Sequence, residues 1–123
     1  MKRKPIVIIE SPYAGNILVN ILYAQYCIRD SILNFDEAPF ASHMIYPGAL
    51  SDEVPNQRQL GIETGFSFHP VAKIMAVYDD LGITSGMRRG MDNADRMGLR
   101  IELRKLSMRD LFLFERQAKT VNH

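Results

Sequence analysis

Between Lys73 and Leu103 the sequence fits one local architecture, a β-loop-α-β unit. Ile74-Met75-Ala76-Val77-Tyr78 is a solid apolar run that ends in two acids, Asp79 and Asp80. A flexible segment, Leu81 to Gly86, comes next. Met87, Gly90, Met91, Ala94 and Met97 then recur at the i, i+3, i+4, i+7 spacing of one buried helix face. Gly98 stands where a helix ends in a left-handed residue. Leu99-Arg100-Ile101-Glu102-Leu103 alternates with the period of a half-covered strand. Parallel crossovers of this kind are nearly always right-handed.

Such a unit bears on function, because open parallel sheets bind ligands beyond the carboxyl ends of their strands. Asp79 and Asp80 are expected at such an end, beside a helix start whose unpaired N–H groups favour anions. Carboxylates next to an amide-rich turn suit a ligand with sugar hydroxyls and a phosphate. The bland alternative is that the two acids only solvate a strand end. The ligand reading therefore requires Asp79 and Asp80 to face the Ser85 turn; turned elsewhere, they leave only the fold.

The 123 residues are enough for one domain with a real core, and 46% hydrophobic with 24% charged residues is ordinary for a globular protein. A formal net charge of +1 gives no long-range pull toward a nucleic-acid polymer or an anionic membrane. No apolar run approaches the roughly 20 residues that span a bilayer. Four apolar residues before Glu10 are too few for a secretory signal, so a cytoplasmic protein is expected. The lone Cys27 excludes an internal disulfide. His43, His69 and His123 show no ligand spacing, so neither a metal nor a cofactor is expected.

Pro5 to Ile9 reads as a central strand leading into the turn-forming stretch Glu10 to Gly15. A helix is expected from Asn16 to Leu33, with Ile17, Leu18, Ile21, Leu22, Ala24, Ile28 and Ile32 on its inner face. Ala38 to Tyr46 allows a short strand, though Pro39 is unsuited to a central ladder. His43 there is either a structural hydrogen-bonder or an acid-base group. A helix from Pro55 to Phe68 carries Gly61 and Gly65 four apart, suited to a close approach by a backbone or a ligand. Arg58 on it is a surface ion or a phosphate contact. After Leu106 a C-terminal helix, apolar on several sides, is expected to dock or to join subunits in a homo-oligomer, with Thr120 to His123 frayed. Residues 1–106 thus form the α/β domain and 107–123 its helical tail. The fold expected is a flavodoxin/Rossmann-like three-layer sandwich with a mostly parallel sheet of four or five strands.

Ile8 to Gly15, Glu37 to His43, Arg58 with Gly61-Ile62, and Tyr78 to Gly82 with Ser85-Gly86-Met87 together resemble an uncharacterised family of small proteins of bacteriophages and some bacteria. That family in turn resembles the nucleoside 2-deoxyribosyltransferase-like superfamily, which has a flavodoxin-like fold and includes transferases and nucleotide N-glycosidases. The resemblance implies a nucleoside or nucleotide lying across the strand ends. The Ser11 to Gly15 loop would line sugar and base with Tyr13 in contact, and Phe40 would stack on the base. Asp79 and Asp80 would meet sugar hydroxyls or base edges, Gly82 would also line the substrate, and Ser85, Gly86 and Met87 would hold the 5′-phosphate. Superfamily enzymes place a nucleophilic glutamate one turn into the following helix, and the matching position here is Gly90. Either another acid acts, with Asp80, Asp79 and Glu10 the candidates, or the protein binds or sequesters nucleotides without cleaving them. A third reading is an interaction module that binds through its apolar tail.

Overall fold

A computed structural model of the protein describes residues 2–121. Four strands, β1 (Ile6–Glu10), β2 (Ala38–Phe40), β3 (Ile74–Tyr78) and β4 (Arg100–Arg104), form one sheet in the order β2-β1-β3-β4, and every pairing is parallel. The helices are α1 (Ile17–Phe35), the short α2 (Tyr46–Ala49), α3 (Pro55–Phe66), α4 (Ser85–Arg96) and α5 (Met108–Val121). Single 3-10 turns cover Ser42–Met44 and His69–Val71. The architecture is the expected α/β sandwich with a flavodoxin/Rossmann-like layering, and its sheet is parallel throughout.

Strand periodicity divides the core in two. Val7 and Ile9 of β1, with Ile74, Ala76 and Tyr78 of β3, pack against Tyr23 and Cys27 of α1 and Phe114 of α5. The alternate residues, Ile8, Met75 and Val77, pack against Met87 and Ala94 of α4 on the opposite face. All five β3 residues are buried, as a strand sandwiched between two helical layers requires. The same alternation sends Glu10 toward α4 and Asp80 toward α1. That sorting decides which acid meets the site.

Helix α1 departs from its expected phase. Ile17, Leu18 and Ile32 are exposed, whereas Asn20, Asp30 and Ser31 are buried beside Tyr23, Ala24 and Cys27. Its inner face is polar at both ends because the groups there have fixed partners. Asn20 donates to the carbonyls of Tyr13 and Ala14 at 2.9 Å each, which holds the loop after β1. Asp30 accepts from the Tyr78 hydroxyl at 2.7 Å, and Ser31 donates to Glu37 at 2.8 Å. Glu37 also receives a two-pronged contact from Arg104, at 2.8 and 2.7 Å, and the Arg104 guanidinium lies 3.6 Å from the Phe35 ring centre.

Helix α5 docks on α1 through Phe114, which meets Tyr23 at 5.3 Å and Tyr26 at 6.2 Å between ring centres. Met108 and Phe112 stay exposed. Thr120 and Val121 belong to this helix and are not the frayed tail expected; Asn122 and His123 lie outside the described residues. The helix expected to reach Phe68 ends at Phe66 and gives way to the His69–Val71 turn. No described helix is long and apolar enough to cross a membrane.

Candidate functional site

At the carboxyl edge of the sheet, a cleft of about 200 Å³ opens between the loop after β1, the Ser42–Met44 turn with α2, the inner side of α3, and the start of α4. Glu10 and Ser11 come from β1 and its exit. Period-two alternation aims Glu10 at α4, and there Gly90 leaves room for it. A Cβ built on Gly90 would overlap Glu10 Oε2 and lie 3.0 Å from its Cδ. Gly90 therefore leaves the gap that a carboxyl from another element occupies.

Glu10 has no hydrogen-bond or ion-pair partner among the described residues. The surrounding walls desolvate it and push its pKa up to about 8, so it is a neutral acid at pH 7. Beside it, Ser11 Oγ and His43 Nε2 are 2.7 Å apart, with Ser11 buried. Burial pushes His43 down to about 4, leaving its imidazole neutral as well. One cleft thus combines a proton donor and a proton acceptor in their working forms at neutral pH, the pattern by which acid and base roles are recognised.

The opposite wall is electropositive. Thr84 caps α4, its hydroxyl accepting from the Met87 N–H at 3.2 Å. The N–H groups of Ser85 and Gly86 are then left as first-turn donors at the cleft. Met87 lines the cleft but its amide is taken by the cap, so it is not the phosphate donor expected. Arg58 from α3 and Arg89 from α4 also border the space, and Arg58 holds Asp52 only loosely, at 3.9 Å.

Eight of the residues singled out from the sequence meet here: Glu10, Ser11, Tyr13, His43, Arg58, Ser85, Gly86 and Met87 all line the cleft. Five do not. Asp80 is turned to the α1 face, where it accepts from the Tyr23 hydroxyl at 2.6 Å and the Leu106 N–H at 3.0 Å. Asp79 pairs with Lys105 at 2.8 Å. The expectation that these two acids face the Ser85 turn is thus not met. Phe40 lies against Phe68, with ring centres 4.2 Å apart, and belongs to the core. Gly15 and Gly82 carry positive φ, 99° and 90°, and shape their loops without lining the cleft. Arg89, Tyr46 and Thr84 were missed. Thr84 had a readable signal, a threonine three residues before Met87 at a helix start; Arg89 and Tyr46 had none. Among the described residues no cluster of His, Cys, Asp and Glu could hold a metal ion.

Fold and cleft define the class: a parallel α/β protein with a cleft at the carboxyl edge of its sheet, where such folds hold ligands. Within that class, the chain belongs to the family described as Domain of unknown function (DUF7768), whose model matches residues 5–104. None of the curated proteins matches it.

Proposed function

We propose that the cleft binds a nucleotide or nucleoside and hydrolyses its N-glycosidic bond, with Glu10 as the general acid. One observation carries the reading: a desolvated carboxyl with no partner of its own, open to a cleft whose far wall offers amides and arginines. Folding alone does not favour such a group, because partly desolvating an unpaired carboxyl costs free energy that a paired or apolar residue avoids. Asp79 and Asp80 lend the reading nothing.

The chemistry follows from the charges. A purine or pyrimidine leaves a sugar poorly as an anion, and protonation of the base by a neutral carboxylic acid lowers that barrier; general acids contribute about 10²- to 10⁴-fold. Because Glu10 is protonated at pH 7, it suits proton donation, and a carboxylate nucleophile would need the ionised form. The N–H groups of Ser85 and Gly86, the Ser85 hydroxyl and the two arginines suit a 5′-phosphate. Tyr13 is the aromatic side chain of the β1 loop nearest in sequence to Glu10 and lines the same space for sugar or base.

The test is incubation with ribo- and deoxynucleoside monophosphates, with chromatography for free base and thermal unfolding in parallel. Free base from wild type and none from Glu10→Gln supports the proposal. A nucleotide-dependent rise in Tm without any base would replace it with the non-catalytic binder. Neither response would remove nucleotides as the ligand.

A further inference from the structure

The hydrogen bond between Ser11 and His43 has no role in acid catalysis by Glu10, yet it lies in the same cleft. Ser11 leaves the carboxyl end of β1 directly after Glu10, and His43 sits on the Ser42–Met44 turn that follows β2, the neighbouring strand. The two strands are in register through Ile8 and Phe40, so their exits bring the two side chains together at 2.7 Å. That turn is held in place from behind. A Cβ on Gly65 of α3 would lie 2.7 Å from Ser42 Oγ, so the helix backbone rests directly against it.

We propose that Ser11 and His43 form a proton relay that deprotonates the water attacking the sugar, an inference that rests on the hydrolytic reading of Glu10 given above. With Nε2 unprotonated, His43 accepts the Ser11 O–H, and the Ser11 oxygen keeps lone pairs for a water in the cleft. The step balances. The water oxygen bonds to the anomeric carbon while one of its protons passes to Ser11 Oγ, and the Ser11 proton passes to His43 Nε2. The electron pair of the carbon–nitrogen bond leaves with the base, whose nitrogen takes the Glu10 proton. Glu10 ends ionised and His43 ends as imidazolium; proton exchange with solvent resets both. Ser11 touches the reacting water, whereas His43 acts through Ser11 and is a positioning and proton-holding residue.

The charged and titratable groups that share the cleft with His43 are Glu10 and Tyr13 near β1, Tyr46 of α2, Asp52 and Arg58 beside α3, and Arg89 of α4. Burial disfavours an imidazolium at this position, which keeps the resting ring neutral and makes it an acceptor.

The experiment is the pH profile of kcat/KM for base release by wild type, Ser11→Ala, His43→Gln and Glu10→Gln, with Tm for each variant. The relay predicts a fall at pH 7 of about 100-fold for His43→Gln and at least about 10-fold for Ser11→Ala. It also predicts loss of the acidic limb near pH 4, while the alkaline limb near pH 8 stays. A purely structural role would lower the rate without moving the acidic limb, and would overturn the relay. If His43→Gln fails to fold, Ser11→Ala carries the same decision. Wild-type rates in both variants, with Glu10→Gln inactive, would overturn the relay alone. Absence of base release from wild type would overturn relay and acid together. Nitrogen NMR adds a readout independent of turnover: His43 should keep an unprotonated Nε2 at pH 6, and an imidazolium there would overturn the relay.

Discussion

Two glutamates at the same sheet, one against each helical layer, have opposite chemistries. Glu37 sits on the α1 side, where desolvation would raise its pKa, but hydrogen bonds from Arg104 and Ser31 outweigh that and hold the carboxyl below its usual range. Arg104 is raised in return, against its own desolvation, by the Glu37 and Tyr78 contacts. Glu10 sits on the α4 side with none of these partners, and desolvation alone governs it. The fold evidently can satisfy an enclosed carboxylate completely, since it does so with Glu37, Arg104, Tyr78, Asp30 and Ser31 in one network; only Arg104 Nε is left without a partner there. The solitary Glu10 is therefore no sign that the fold lacks partners, and on the proposed function it is the working acid of the cleft.

The largest test of that contrast is Glu10→Gln. Base release should fall about 10³-fold, within the range for loss of a general acid, while Tm stays level or rises. Equal activity in the variant would erase the distinction between the two glutamates. Arg104→Leu should do the reverse, costing about 3–5 kcal/mol in denaturant unfolding by leaving Glu37 buried and charged. Adding Glu37→Gln to it should recover much of the loss, and the rate per folded molecule should hardly change.

The pH dependence of stability follows with its sign. Glu10 is raised from 4.5 to about 8, so the folded state holds a proton the unfolded chain has lost; its contribution declines as pH climbs from 4.5 to 8. His43 is lowered from 6.5 to about 4, so its contribution is lost as pH falls from 6.5 to 4. The Glu10 and His43 slopes oppose each other between 4.5 and 6.5, where His69, also lowered by desolvation, adds to the His43 slope. A decline toward pH 8 follows that Glu10→Gln should flatten. Urea titrations at half-unit steps would show it. Gly90→Ala should cost about 1–3 kcal/mol by overpacking and should also displace the Glu10 carboxyl, lowering base release. The smallest effect belongs to Asp79→Asn. Its exposed ion pair should shift Tm by no more than about 2 °C, with turnover unchanged.

The elements whose pattern comes from packing alone were legible in the sequence. β1 and β3 are apolar runs because helices cover both their faces. The α4 stripe appears at Met87, Gly90, Met91 and Ala94, while Met97 caps the helix and is exposed, and the Gly98 stop appears as expected. The inner face of α1 was legible only in part: Leu22, Ala24 and Ile28 pack inward as expected, but Asn20, Asp30 and Ser31 also point inward to polar partners while Leu18 and Ile32 point out. At the site, the loop residues were found but the acid was misranked. Counting alternate residues from Ala76 through Tyr78 already sends Asp80 to the α1 face. The fit of Glu10 into the gap at Gly90 joins positions 80 apart and depends on size complementarity, which a single sequence does not display.

Gly61 and Gly65, one turn apart on α3, do not have equal freedom. An added methyl at 65 would strike the Ser42 side chain at 2.7 Å, but at 61 it would meet Leu50 and Tyr46 at 3.5 and 3.6 Å, an ordinary contact. A side chain added at 61 can therefore narrow the cleft mouth with little strain, whereas 65 is a locked hinge pin behind the turn that carries His43.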